Sequence, residues 1–284
     1  MTEHGDAALP ALARSFERAR FEIIPMKGVE AQLDHLPDGA LVTVTSSPSK
    51  GVEATLELAE LLRKRDLSVV PHIAARLITS PTHLRDVLDV LADLGIVEAF
   101  VIAGDAKEPA GPFEGAASLL REMLEVGHRL QDIGIAGYPE SHAFISDSTT
   151  IQAMSEKVPY ATYIVSQICY DPAVTRAWIE AVRDRGVTLP VFIGLPGVVN
   201  RVRLARISMK VGLGDSMRFL AKQSGVVSHL MRGYVPDDLV RELASCLDDD
   251  RLRVRGWHLF TFNEVEPTER WRQRQLAPEL GEGR

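Results

Sequence analysis

The chain has 284 residues, 45% hydrophobic and 25% charged, the composition of an ordinary water-soluble globular protein large enough to bury its own core. A formal net charge of −7 speaks against a nucleic-acid partner, which would call for a basic face. Two cysteines, Cys169 and Cys246, cannot build a disulfide framework and fit a reducing compartment. The first twenty residues carry acids and no apolar h-region, and no apolar run approaches the roughly 18 residues of a membrane span. A soluble, cytoplasmic protein is expected.

Residues 1–20 read as a loose tail or a short helix, and 21–284 as one domain. Short β-rich runs then alternate eight times with longer segments of helical period. Strands are expected at Phe21–Pro25, Leu41–Thr45, Ser68–Ala74, Ala99–Gly104, Ile133–Tyr138, Tyr163–Cys169, Pro190–Leu195 and Trp257–Phe262. They are apolar runs rather than clean alternations, as in a parallel sheet covered by helices. Ser80-Pro81 and Asp171-Pro172 each place a capping side chain before a proline at the first helical position. The stretch between strands seven and eight is too long for one helix. It should hold two or three, including DSMRFLAKQSG and PDDLVRELASCLDD.

Eight β-then-α units favour a single (β/α)8 barrel, with extra helices between strands 7 and 8, over an open doubly wound sheet. No strand is followed by G-x-G-x-x-G: Gly212-Leu213-Gly214 begins the pattern, but Met217 stands where the third glycine belongs. No Walker motif and no H-E-x-x-H are found.

Barrels of this kind gather their chemistry at the C-terminal ends of the strands. This sequence places there Glu22, Thr45, His72, the run Ala103-Gly104-Asp105, Tyr138 followed by Glu140 and His142, Gln167, GLPG, and FTFN with Asn263. A glutamate inside the first strand is costly to bury without a catalytic or pairing role, which favours function for Glu22. Taken singly the others have plain readings. Asp105 could cap a helix, His72 could be a satisfied core residue, Gln167 could bond its neighbours, and Cys169 could simply pack. Their joint placement is harder to dismiss.

FEIIP, VTVTSS, PHIAAR, VIAGD, GYPESH, VSQICYD, FIGLPG and HLFTFN, in this order and spacing, resemble the landmarks of the methylenetetrahydrofolate reductase family from Phe21 to Asn263. The resemblance implies an oxidoreductase of one-carbon metabolism and methionine biosynthesis. It would reduce 5,10-methylenetetrahydrofolate to 5-methyltetrahydrofolate, with NADH or NADPH as cosubstrate, NADH being favoured, and no metal. Glu22 would be the general acid that opens the five-membered ring, and Asp105 would favour positive charge developing on the pterin. Gln167 would read the pterin edge, and Asn263 is counted with Asp105 among the substrate contacts. Thr45, His72, Ala103, Tyr138 and His142 correspond to positions that line the flavin site.

Some residues depart from the family pattern. Ala103 stands where an arginine usually contacts the flavin, and Glu264 where a basic residue is common. The helix DSTTIQAMSEKVPYA keeps Asp147 and Lys157, but otherwise offers Gln152, Met154 and Glu156 to the diphosphate, whose strong partners are cations. The folate half of the site is retained and the flavin half eroded, a pattern closest to the family's flavin-independent branch in mycobacteria. Direct hydride transfer from NADH, with FAD absent, is therefore favoured over FAD held by backbone groups and other side chains. A folate-dependent methyltransferase or demethylase would suit the same retained residues. A folate-binding protein without turnover leaves Glu22 unexplained. A metal-dependent hydrolase using His72, His142 and His258 ranks low, because His258 is expected early on its strand and far from the mouth.

Overall fold

The computed structural model describes residues 11–140, 147–199 and 234–277. Eight parallel strands close into a barrel in chain order: β1 (Arg20–Ile23), β2 (Leu41–Val44), β3 (Ser68–Ala74), β4 (Glu98–Ile102), β5 (Asp132–Gly137), β6 (Tyr163–Ser166), β7 (Val191–Pro196) and β8 (Val254–Phe260). Helices α1 (Ala11–Glu17), α2 (Glu30–Leu33), α3 (Glu53–Arg63), α4 (Pro81–Asp93), α5 (Ala116–Val126), α6 (Asp147–Lys157), α7 (Pro172–Asp184), α8 (Asp237–Asp248) and α9 (Val265–Leu276) lie along the chain between and around them. The chain is thus a (β/α)8 barrel, as its alternating pattern indicates. Among the described residues no helix is long and apolar enough to cross a membrane.

The local causes are plain. Helix α4 begins where the Ser80 hydroxyl accepts from His83 N at 3.1 Å, with Pro81 in the first turn. It buries Leu84, Val87, Leu88 and Leu91, one stripe of the helical period, each worth about 2 kcal/mol at most. Asp171 caps α7 by accepting from Ala173 N and Val174 N. The predicted PDDLVRELASCLDD helix is α8, whereas DSMRFLAKQSG and the Gly212–Met217 pattern lie outside the described residues. Within residues 1–20, Ala11–Glu17 is helical and packs into the core. Phe16 stacks on Trp257 at 5.5 Å and meets Trp271 edge-on, and Trp257 Nε1 donates to Ser15 Oγ.

Two side-chain populations result from the two-residue strand period. Outward residues such as Phe21, Val42, Val101 and Ile164 join the helices in the main core. Inward residues Val70, Phe100, Tyr163 and Val165 form a second cluster inside the barrel, with Phe192, Ile102 and Ala136 against it. Gly134 makes room for it, since a Cβ there would stand 2.4 Å from the Tyr163 ring.

Candidate active site

Glu22 sits on the inward face of β1, its side chain 12% exposed. Its backbone is held from both sides. Thr45 N, just past β2, donates to O of the adjacent Ile23 at 2.9 Å, and Thr261, just past β8, donates its hydroxyl to Glu22 O at 2.5 Å. Asn263 then bonds Ile24 twice, accepting from its N at 2.8 Å and donating to its O at 2.9 Å. This clamp requires Phe262 and Asn263 to adopt φ of +51° and +61°, a conformation that costs non-glycine residues about 1 kcal/mol or more each.

Two imidazoles converge on the carboxyl. His258 Nε2 lies 3.1 Å and His72 Nε2 3.7 Å from Glu22 Oε2, and both histidines are buried, with the Phe260 and Phe100 rings 4.8 Å from them. The expectation that His258 lies far from the site is therefore corrected. Strand β8 begins at Val254, its register pairs His258 with Arg20, and the imidazole reaches Glu22. Burial pushes the Glu22 pKa up to about 7, against the opposing pull of His72. Burial pushes His72 down to about 4 despite the neighbouring carboxyl, and burial aided by the Arg20 cation pushes His258 down to about 3. Near neutrality both imidazoles are uncharged, and the proton in exchange belongs to Glu22. The His258–Glu22 contact is then a hydrogen bond rather than an ion pair.

Below this pair lies a charged floor. Arg20 ion-pairs with Glu98 through Nη1, donates to the Tyr163 hydroxyl at 3.1 Å, and stacks its guanidinium 4.3 and 4.1 Å from the Tyr163 and Phe192 ring centres. Sequence reasoning missed this floor. Its signal was spacing: Arg20 precedes Glu22 by two, and Glu98 precedes Phe100 by two, so each shares the inward phase of its strand.

Most of the other described candidates lie just past the ends of the strands. Asp105 is exposed on the loop after β4, placed by Gly104 at φ +87°, where a Cβ would stand 2.9 Å from that of Ala74. Arg76 fastens this loop, donating to the carbonyls of Ala106 and Glu114 at 2.9 and 2.8 Å. Tyr138, half-buried after β5, has its phenol pKa raised by burial and by the nearby Asp105. Gln167 is not a rung of β6, which ends at Ser166. Its side chain turns back to accept from Ile168 N at 2.9 Å. Cys169 donates to Glu140 and to Asp171 O, and burial pushes its thiol up to about 12, which fits packing rather than nucleophilic attack. His72 lies deep beside Glu22, Ala103 is exposed after β4, and His142 lies outside the described residues.

Two features bear on a flavin diphosphate. Lys157, the cation retained on α6, is 8% exposed with Nζ 3.4 Å from Ala136 O, and Ala103 offers a methyl group. At the positions the resemblance designates, the described residues do not fit a diphosphate. Among the described residues no group of three or more His, Cys, Asp or Glu is arranged to hold a metal ion.

The fold is a (β/α)8 barrel, and burial holds the Glu22 carboxyl on its first strand at a pKa of about 7. The profile of the methylenetetrahydrofolate reductase family matches residues 29–266, and the chain belongs to that family. Methylenetetrahydrofolate reductase 1 of Schizosaccharomyces pombe is 34% identical over 159 residues, which cover 55% of this chain and 23% of that protein. The chain therefore matches less than a quarter of that relative's length. A solved protein from Clostridium thermocellum that binds two copies of 5-methyl-5,6,7,8-tetrahydrofolic acid has the same fold. It covers 94% of this chain and 100% of its own length, with a TM-score of 0.65 and 10% sequence identity.

Proposed function

We propose that this protein reduces 5,10-methylenetetrahydrofolate to 5-methyltetrahydrofolate, taking hydride directly from NADH. The observation that carries this reading is Glu22, a carboxyl at the barrel mouth whose pKa of about 7 keeps it partly protonated at neutral pH. Glu22 donates its proton to the ring nitrogen that departs from the methylene carbon, that carbon–nitrogen bond breaks, and an iminium forms on the other nitrogen. Hydride from the nicotinamide C4 then adds to the iminium carbon, giving the methyl group and NAD⁺. Asp105 stabilises the positive charge on the pterin as it develops, while Gln167 and Asn263 contact the folate.

Nicotinamide occupies the region of Thr45, His72, Ala103, Tyr138 and His142 that the family resemblance assigns to flavin. The burial of Lys157 and the bare Ala103 support a reaction without FAD, because a flavin diphosphate would lose its charge-assisted partners there. Positioning the two reactants face to face then supplies much of the rate.

The test is anaerobic oxidation of NADH by flavin-free protein with methylenetetrahydrofolate. Folate-dependent oxidation is expected without added FAD. Activity that appears only on adding FAD would retain the reductase and discard direct transfer. Silence in both cases would favour a methyltransferase or a binding protein.

A further inference from the structure

The two oxygens of Glu22 have unlike surroundings. Oε2 faces the Nε2 atoms of both His258 and His72, at 3.1 and 3.7 Å, whereas Oε1 has no hydrogen-bond partner among the described residues. His258 is 1% exposed, and its Nδ1 is closed off from solvent without a partner among the described residues. A neutral imidazole carries its proton on one nitrogen only. A proton on Nδ1 would leave a buried N–H unanswered, which folded proteins avoid more strictly than an unanswered lone pair. The proton therefore sits on Nε2 and is donated to Oε2. An oxygen accepting that bond is not the one carrying the acidic hydrogen, which falls to Oε1.

We infer that His258 is a positioning residue for the Glu22 acid: its Nε2–H fixes Oε2 and leaves the transferable proton on Oε1, the oxygen that faces neither imidazole. The catalytic consequence rests on the reductase reading; the hydrogen bond does not. The surroundings of His258 keep it neutral. Arg20 on β1 is its register partner, and Glu98 on β4 and Tyr163 on β6 hold Arg20 from the far side. His72 on β3 faces the same oxygen, and Thr43 on β2, the register partner of Glu22, has a buried hydroxyl without a partner among the described residues. Burial and the Arg20 cation outweigh Glu98 and hold the His258 pKa near 3, so the imidazole donates a hydrogen bond without competing for the proton.

Nitrogen-15 histidine NMR of the substrate-free protein tests the hydrogen bond directly. The His258 signal, assigned by its loss in His258→Gln, should show the neutral Nε2–H tautomer across neutral pH. It should follow a titration near pH 7 that disappears in Glu22→Gln. An Nδ1–H tautomer, or no Glu22-dependent titration, overturns the inference. The kinetic arm compares His258→Leu, which cannot donate, with His258→Gln, which can. In His258→Leu, kcat should fall about tenfold or more with the folate KM nearly unchanged. Its alkaline limb should also move up by about half a unit to one unit, because the carboxylate has lost its donor. His258→Gln should recover most of the rate and return the limb. Equal losses in both variants with an unmoved limb would reduce His258 to a structural part. Should His258→Leu fail to fold, the NMR titration and the His258→Gln limb decide. Should the wild-type protein not turn over, the reductase reading falls, and the NMR arm still decides the hydrogen bond.

Discussion

Replacing Glu22 with glutamine preserves the size of the side chain and removes its titration. In the folded protein burial raises this carboxyl from 4.5 to about 7, whereas the unfolded chain titrates near the ordinary value. Below pH 4.5 the acid is neutral in both states and has no effect on folding. As pH rises, the unfolded chain ionises first and gains relative to the fold, until the difference levels off above about pH 7. The gap between those two values, at 1.36 kcal/mol per unit, makes buried Glu22 cost about 3 kcal/mol at alkaline pH. His72 and His258 act in the opposite sense. Their folded values of about 4 and 3 lie below 6.5, so their contribution is present above that pH and is lost as pH falls through them. Both proteins retain these histidines, so the difference between wild type and Glu22→Gln isolates the carboxyl. Urea unfolding across a pH series should show the two equally stable at pH 4 and the variant more stable by about 3 kcal/mol at pH 8. Turnover should collapse in the same variant, a gain in stability at the expense of function. Parallel stability curves would refute the raised pKa and, with it, the acid role.

Three further perturbations probe the frame around this carboxyl. Asn263→Ala removes both bonds to Ile24 and leaves alanine at φ +61°, so chemical denaturation should report a loss of about 2–4 kcal/mol; a loss under 0.5 kcal/mol would show the clamp to be idle. Arg20→Met strands Glu98, 16% exposed, and should destabilise the fold by about 3–5 kcal/mol, much of it recovered by adding Glu98→Gln; failure of that second change to rescue would mean that Arg20 acts through packing. Asp105→Asn should lower the Tyr138 pKa toward its ordinary value, read as phenolate absorbance during an alkaline titration and assigned with Tyr138→Phe, and an unmoved titration would separate the two residues.

The barrel could be read from sequence because each strand is an apolar run flanked by helical periods, and every strand lies within a few residues of its predicted place. Boundaries mattered more at the site. Moving the start of β8 from Trp257 back to Val254 brings His258 from an assumed remote position to Glu22. Ending β6 at Ser166 turns Gln167 from a strand rung into a residue that folds over Ile168. Asn263 is read from the resemblance as a substrate contact, whereas its amide bonds Ile24, a contact visible only once β1 and β8 are side by side. The value of a buried polar residue depended on partners distant in the chain. Arg20, Glu98 and Tyr163 are separated by 78 and 65 residues, and only barrel closure makes them one floor.

The central claim, hydride passing from nicotinamide to folate without a flavin relay, is tested most directly by isotope transfer. Flavin-free protein would be supplied with methylenetetrahydrofolate and NADH deuterated at the transferred C4 position in ordinary water, and the product analysed by mass spectrometry. One deuterium in the methyl group of every product molecule, at a rate unchanged by added FAD, is the expected result. Deuterium partly lost to solvent, or product formed only when FAD is supplied, would contradict direct transfer.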